Sequence, residues 1–199
     1  MHGAIGRAIE DLYANRREHA PILAYQAAHL YANAEATTYY EQALTMARGL
    51  PPSPPAHCAE IDAALKLAAV GMTRQHIERD QRNVERARTL AEQIQDEARL
   101  AQALYWLGRL WYVLGDSAKA IEYAGRSLEI ADRRGDESLA APPVNLMART
   151  YWRSDPPKAR RMIERSVEQM ARLGHKGEEA TALGFAAMLF AASGAFHRA

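Results

Sequence analysis

Short breaks at a fixed interval constrain this chain more than any other feature. Gln95-Asp96, Gly135-Asp136 and Gly174-His175 each close a stretch of helical periodicity, and they recur about every 40 residues. A second set, Gly115-Asp116, Ser154-Asp155 and Ser193-Gly194, falls near the middle of each interval. Between breaks the apolar residues return at spacings of three and four, as in Leu104, Leu107, Leu110, Trp111 and Leu114, then Ile121, Leu128 and Ile130. Period-two alternation is absent, and good helix formers dominate while Gly and Pro gather at the breaks. Such a chain is all-α: helices of roughly 15–20 residues, paired into one antiparallel hairpin per interval.

The interval from 97 to 135 shows why the helices must pair closely. Leu104, Leu107, Gly108 and Trp111 are followed across the turn by Ala120 and Ala124. Gly108 and Ala120 are small where two backbones approach, and the larger residues fill the space beside them. The next interval repeats the theme with Ala148 and Tyr151, then Ala159 and Ile163, and the last offers Leu183, Ala187 and Phe190. This resembles the tetratricopeptide repeat, with its W-x2-L-G-x2-Y and A-x3-F pattern, in a variant of about 40 residues. The resemblance implies hairpins stacked in a right-handed superhelix, each touching mainly its neighbours. HEAT or armadillo repeats have a similar period and stand second.

The expected organisation is one repeat domain over 1–199, with atypical helices over 1–50, repeats at 55–96, 97–135 and 136–174, and a truncated repeat at 175–199. An extra helix is expected around residues 3–16. Pro142 and Pro143 lack donors, so the first helix of the third repeat is expected to start near Pro142 or to kink there. In this register Ala199 is the counterpart of Ala120, so the sequence reads as a fragment that ends inside a helix. Self-association through that exposed end, or through a groove, is a further expectation.

Composition narrows the function. A formal charge of +1 gives no field for a polyanion, so no nucleic-acid partner is expected. No apolar run reaches membrane-spanning length and the N-terminus lacks a signal-peptide pattern, so no membrane partner is expected either. Cys58 is the only cysteine, which suits a reducing, cytoplasmic setting. Phosphate-cradling and dinucleotide-binding glycine motifs are absent, and no cofactor is expected.

With units ending in RRGD or RLGH, the repeats resemble the C-terminal regions of large bacterial signalling proteins: class III adenylate or guanylate cyclases carrying an ATPase module, and LuxR-type transcription regulators. The stretches AIGRAIEDLYANRREHAPILAYQAA and YANAEATTYYEQAL are similar to the cyclase-type junction where the ATPase module gives way to repeats. The resemblance implies a noncatalytic interaction or sensory module within such a parent; a stand-alone helical-repeat adaptor is the alternative.

Few residues suggest chemistry. His57, Cys58 and Glu60 are metal-ligand types, but adjacent helical positions diverge and no second cluster supports them. His76 and Glu78 lack metalloprotease spacing, and no catalytic set emerges. Arg79, Arg82 and Arg86 form a basic stripe, yet Glu78, Asp80 and Glu85 interleave with it as on an ordinary solvated helix face. The first helices offer more. With Leu104, Leu107, Gly108 and Trp111 turned to the hairpin partner, Tyr105, Arg109 and Tyr112 face the concave side, and Asn145, Arg149, Trp152 and Arg153 are their equivalents one unit on. These seven residues make a groove of aromatic faces and exposed guanidinium forks, suited to a protein or peptide ligand carrying carboxylates.

Overall fold

The computed structural model describes residues 20–70, 76–174, 183–184 and 186–187. Among them are seven helices of more than one turn and no strand: α1 (Ala20–Arg48), α2 (Pro54–Val70), α3 (Ile77–Gln93), α4 (Glu97–Leu114), α5 (Ser117–Arg134), α6 (Glu137–Tyr151) and α7 (Pro156–Leu173). The chain is an all-α array of helical hairpins. Each helix packs on the next in sequence, and the first helices of successive hairpins also touch, α2 with α4 and α4 with α6. The layer α2, α4, α6 therefore forms one continuous face.

The turns explain the periodicity. Gly115, Gly135 and Gly174 end their helices with φ of 87°, 62° and 68°, a left-handed conformation that a Cβ penalises. After the first two, the next residue caps the following helix. Asp116 accepts from the Lys119 amide at 3.0 Å and Asp136 from the Leu139 amide at 3.0 Å. At the α3–α4 turn Gln95 takes the glycine's role at φ 58°, and Asp96 caps α4 through the Arg99 amide at 2.9 Å.

Close approach within a hairpin is visible at Gly108. A Cβ there would lie 3.1 Å from the Ala120 carbonyl oxygen and 3.2 Å from the Ala124 amide nitrogen. Leu104, Leu107 and Leu110 are fully buried around this contact, as are Ala120 and Ala124 opposite. Outside the core, Lys119 sits 3.8 Å over the Trp111 ring, and one unit later Lys158 sits 3.9 Å over Tyr151. Ion pairs stitch the layers: Arg99 to Asp62 at 2.8 Å, Arg165 to Asp132 at 3.0 Å and Arg172 to Glu137 at 2.9 Å.

Two expectations need correction or placing. Helix α6 does not start near Pro142; it starts at Glu137, capped by Asp136, and its helical assignment is unbroken to Tyr151 with both prolines inside. Proline in a helix interior costs about 3 kcal/mol against alanine. Burial of Pro143, Val144, Leu146, Met147 and Ala148 along the same helix offsets that loss. The expected helix at 3–16 lies outside the described residues, as does most of 175–199; Ala186 is described and packs with Ala148, Ala159 and Ile163.

Candidate functional site

Along the layer of first helices lies an open cavity of about 840 Å³. Four of the seven sequence-predicted residues line it: Tyr105 and Arg109 from α4, Asn145 and Arg149 from α6. They share one wall because 40 residues is one repeat, so 105 with 145 and 109 with 149 are equivalent places on parallel helices. Leu65, Lys66 and Ala69 extend the lining onto α2, and Trp106 meets Tyr105 edge-on with ring centroids 5.2 Å apart.

Arg149 is held in place. Its Nε donates to Asn145 Oδ1 at 2.9 Å, and Asn145 Nδ2 donates to Ser166 Oγ on α7 at 3.3 Å. Ser166 is fully buried, so the relay is anchored in the core. Arg109 and Arg149 are both half-buried, which corrects the expectation of exposed arginines. Burial depresses the Arg149 pKa below the usual arginine value, and the neighbouring charge of Arg109 depresses it further, against the opposing influence of the Tyr112 and Tyr105 oxygens. Two guanidiniums thus share one partly desolvated place, with two phenols beside them.

The other three predicted residues do not line the cavity. Tyr112 is near enough to act on Arg149 but is 38% exposed. Trp152 follows the last residue of α6 and packs against the cluster of Ala148, Ala159 and Ile163. Arg153 stands exposed in the turn after it.

Elsewhere the structure gathers charge that sequence reasoning missed. Glu60 on α2 is 4% exposed and accepts from Arg48 Nε at 2.8 Å and from Arg86 Nη2 at 3.1 Å. Arg48 also reaches Asn83 at 3.0 Å, so α1, α2 and α3 meet around one carboxylate. Burial alone would raise the Glu60 pKa; the bonds from Arg86 and Arg48 outweigh it and hold the carboxyl below its ordinary value. Asp80 on α3 is 1% exposed. Its Oδ1 accepts from Arg79 at 3.0 Å, its Oδ2 has no partner among the described residues, and burial raises its pKa. Arg79 also pairs with Glu41. Of the basic stripe, Arg79 and Arg86 are therefore engaged with carboxylates, and Arg82 is exposed. Among the described residues no group of three or more His, Cys, Asp or Glu side chains is arranged to hold a metal ion. None of the described helices is long and apolar enough to cross a membrane.

No family model matches the chain, and no curated protein sequence does. Solved structures do. A putative kinesin light chain of Podosopora anserina with nearly identical TPR-like repeats superposes with a TM-score of 0.60 at 14% identity, over 85% of this chain and 83% of that one. A single-substitution variant of that protein gives 0.60 at 16% identity, over 90% of each chain. BtubC (BKLC) from P. vanneervenii gives 0.57 at 17% identity, over 98% of this chain and 92% of that one. With the hairpin order, the glycine turns and the close contact at Gly108, these likenesses show that the chain has the fold of TPR-like repeat proteins.

Proposed function

We propose that this chain is a noncatalytic protein-interaction module whose concave groove captures an acidic segment of a partner protein. The observation that carries the reading is the cavity wall shared by α4 and α6, where Arg109 and Arg149 sit side by side with Tyr105 and Asn145. Guanidinium forks give bidentate, oriented bonds to carboxylates, and aromatic faces give contact area at low entropic cost. The relay from Ser166 through Asn145 fixes Arg149 before a ligand arrives, which lowers the ordering cost of binding.

Capture from cell lysate tests the reading. Replacing Arg109 and Arg149 together by Gln removes both charges while keeping most of each half-buried stem. The double variant is expected to lose at least tenfold in captured partner, with helical content retained and melting moved by no more than a few degrees. Undiminished capture would rule out the arginine wall. The parent context, a cytoplasmic bacterial cyclase with an ATPase module or a LuxR-type regulator, is supported by the resemblance of the repeats alone. The full open reading frame tests it: ATPase and cyclase motifs upstream favour the first, a DNA-binding domain the second.

A further inference from the structure

Helix α1 is out of step with the repeat. It is 29 residues long, against 15–18 for the other six helices. Two repeats before the Gly115-Asp116 turn stand Glu35 and Ala36, and α1 runs through them unbroken. The sequence on either side still keeps the hairpin register. Ala28 and Tyr31 stand two repeats before Gly108 and Trp111, and Tyr40 and Leu44 two repeats before Ala120 and Ala124. One helix thus carries a first-helix pattern and a second-helix pattern in line, and an unbroken helix cannot fold one onto the other. We propose that a second copy of this chain closes the hairpin: two α1 helices pair antiparallel, the first half of each on the second half of the other.

The second half of α1 shows the face such a pair would cover. Leu44 and Ala47 are buried, Leu44 in one cluster with Ile61 and Ala64 of α2. Tyr39, Ala43, Met46 and Leu50 are exposed, at spacings of four, three and four, the seam of paired helices. Tyr39 is 67% and Met46 73% exposed. In the later second helices the place of Tyr39 holds a cation, Arg79, Lys119 or Lys158, and the place of Met46 holds Arg86, Arg126 or Arg165. Those units send charge to solvent where α1 sends apolar surface. Leu50 is open where Leu90 and Ile130, its equivalents, are buried, and Tyr40 is only partly buried where Asp80, Ala120 and Ala159 are fully so.

Volume points the same way. Tyr40 is large where Ala120 and Ala159 are small, whereas Ala24 and Ala27 are small where Leu104 and Leu107 are large. The bulk added to one half of α1 matches the room left in the other. Both halves lie on one helix, so the surface is self-complementary and a two-fold pair makes each contact twice. In the hairpin Gly108 meets Ala120 and Ala124; carried back two repeats, Ala28 meets Tyr40 and Leu44 of the other copy, and the two-fold axis passes near Glu35.

Sedimentation equilibrium of the full chain from about 1 to 100 μM tests the pairing. The wild type is expected to dimerise. Tyr39→Lys with Met46→Arg, which installs what later repeats carry at these places, is expected to weaken dimerisation at least tenfold with helical content retained. Glu35→Gly with Ala36→Asp restores the Gly-Asp turn, lets each chain close its own hairpin and is expected to give a monomer. In a Cys58→Ser background, Glu35→Cys is expected to cross-link two copies through a bismaleimide spanning about 10 Å, the usual separation of packed helices. Ala43→Cys is not, because two Ala43 positions lie about 24 Å apart along an antiparallel pair. A monomeric wild type across this range would overturn the proposal, whatever segment then covers the face. A dimer that ignores both double substitutions, or that cross-links through Ala43→Cys rather than Glu35→Cys, would overturn it equally.

Discussion

Two glycines in adjacent helices offer an internally controlled test of the close contact that organises each hairpin. Gly108 lies inside α4 and Gly125 inside α5, and neither has positive φ. On helix propensity alone, Gly→Ala at either place stabilises by about 0.5–1 kcal/mol. The surroundings differ. At Gly125 a new Cβ meets nothing within 4 Å. At Gly108 it lies 3.1 Å from the Ala120 carbonyl oxygen, 3.2 Å from the Ala124 amide nitrogen and 3.2 Å from Leu146 Cδ2. The first two are backbone atoms of α5, which cannot turn aside as a side chain can, so α5 must shift as a body by a few tenths of an ångström. Overpacking of this kind costs about 1–3 kcal/mol. Gly125→Ala is therefore expected to gain about 0.5–1 kcal/mol, and Gly108→Ala to lose between about 0 and 2 kcal/mol, with propensity offsetting part of the strain. For a chain of this size that is a rise of about 1–4 °C in Tm for the first and a fall of up to about 8 °C for the second. Urea unfolding followed by circular dichroism, with m unchanged, measures both. Equal stabilisation by the two substitutions would refute the idea that Gly108 is small because α5 is there.

Gln95→Gly is expected to stabilise by about 0.5–1 kcal/mol in the same assay, because Gln95 holds the left-handed place that Gly115, Gly135 and Gly174 fill at the ends of α4, α5 and α7. Gly135→Ala is expected to destabilise by a similar amount. The buried carboxylates make opposite predictions with pH. Asp80's raised pKa means that its protonated form is favoured in the fold; the stability this contributes is full below the ordinary aspartate value and lost as pH rises through the raised one. Asp80→Asn is therefore expected to gain on the wild type as pH rises from 4 to 8. Glu60's lowered pKa contributes stability above the ordinary glutamate value that is lost as pH falls through the depressed one. Glu60→Gln is expected to cost about 1–3 kcal/mol at pH 7 and to converge with the wild type in acid. Urea midpoints across pH 3.5–8 check both, and parallel profiles for the two variants would contradict the network.

What could be read from the sequence tracks how local the cause is. A Gly-Asp turn is local: one residue must take positive φ and the next must cap a helix, so residue types at two adjacent positions mark it. The α3–α4 turn carries the same geometry on Gln95 and gives a weaker signal. Pro142 misled for the opposite reason. Its local preference opposes a helix interior, but the burial of Pro143 and its neighbours is a tertiary effect that no local rule contains. The groove divides in the same way. A shift of one repeat carries Tyr105 to Asn145 and Arg109 to Arg149, and all four line one cavity because they lie within helices whose angular period is fixed. The same shift carries Tyr112 to Trp152, which ends α6 still in right-handed helical backbone; its partly buried ring packs against Ala148, Ala159 and Ile163 and does not line the cavity, a tertiary contact that the repeat spacing does not contain. Asp80 shows the limit most clearly. It stands in the register of Ala120 and Ala159, a place where the hairpin contact otherwise takes a small apolar residue. A carboxylate is tolerated there with Arg79 bonded to it, and nearby Arg48, brought in from α1, joins Glu60 to Asn83. Such charge partners meet only after the helices have stacked, so their pairing depends on the fold rather than on any spacing in the chain.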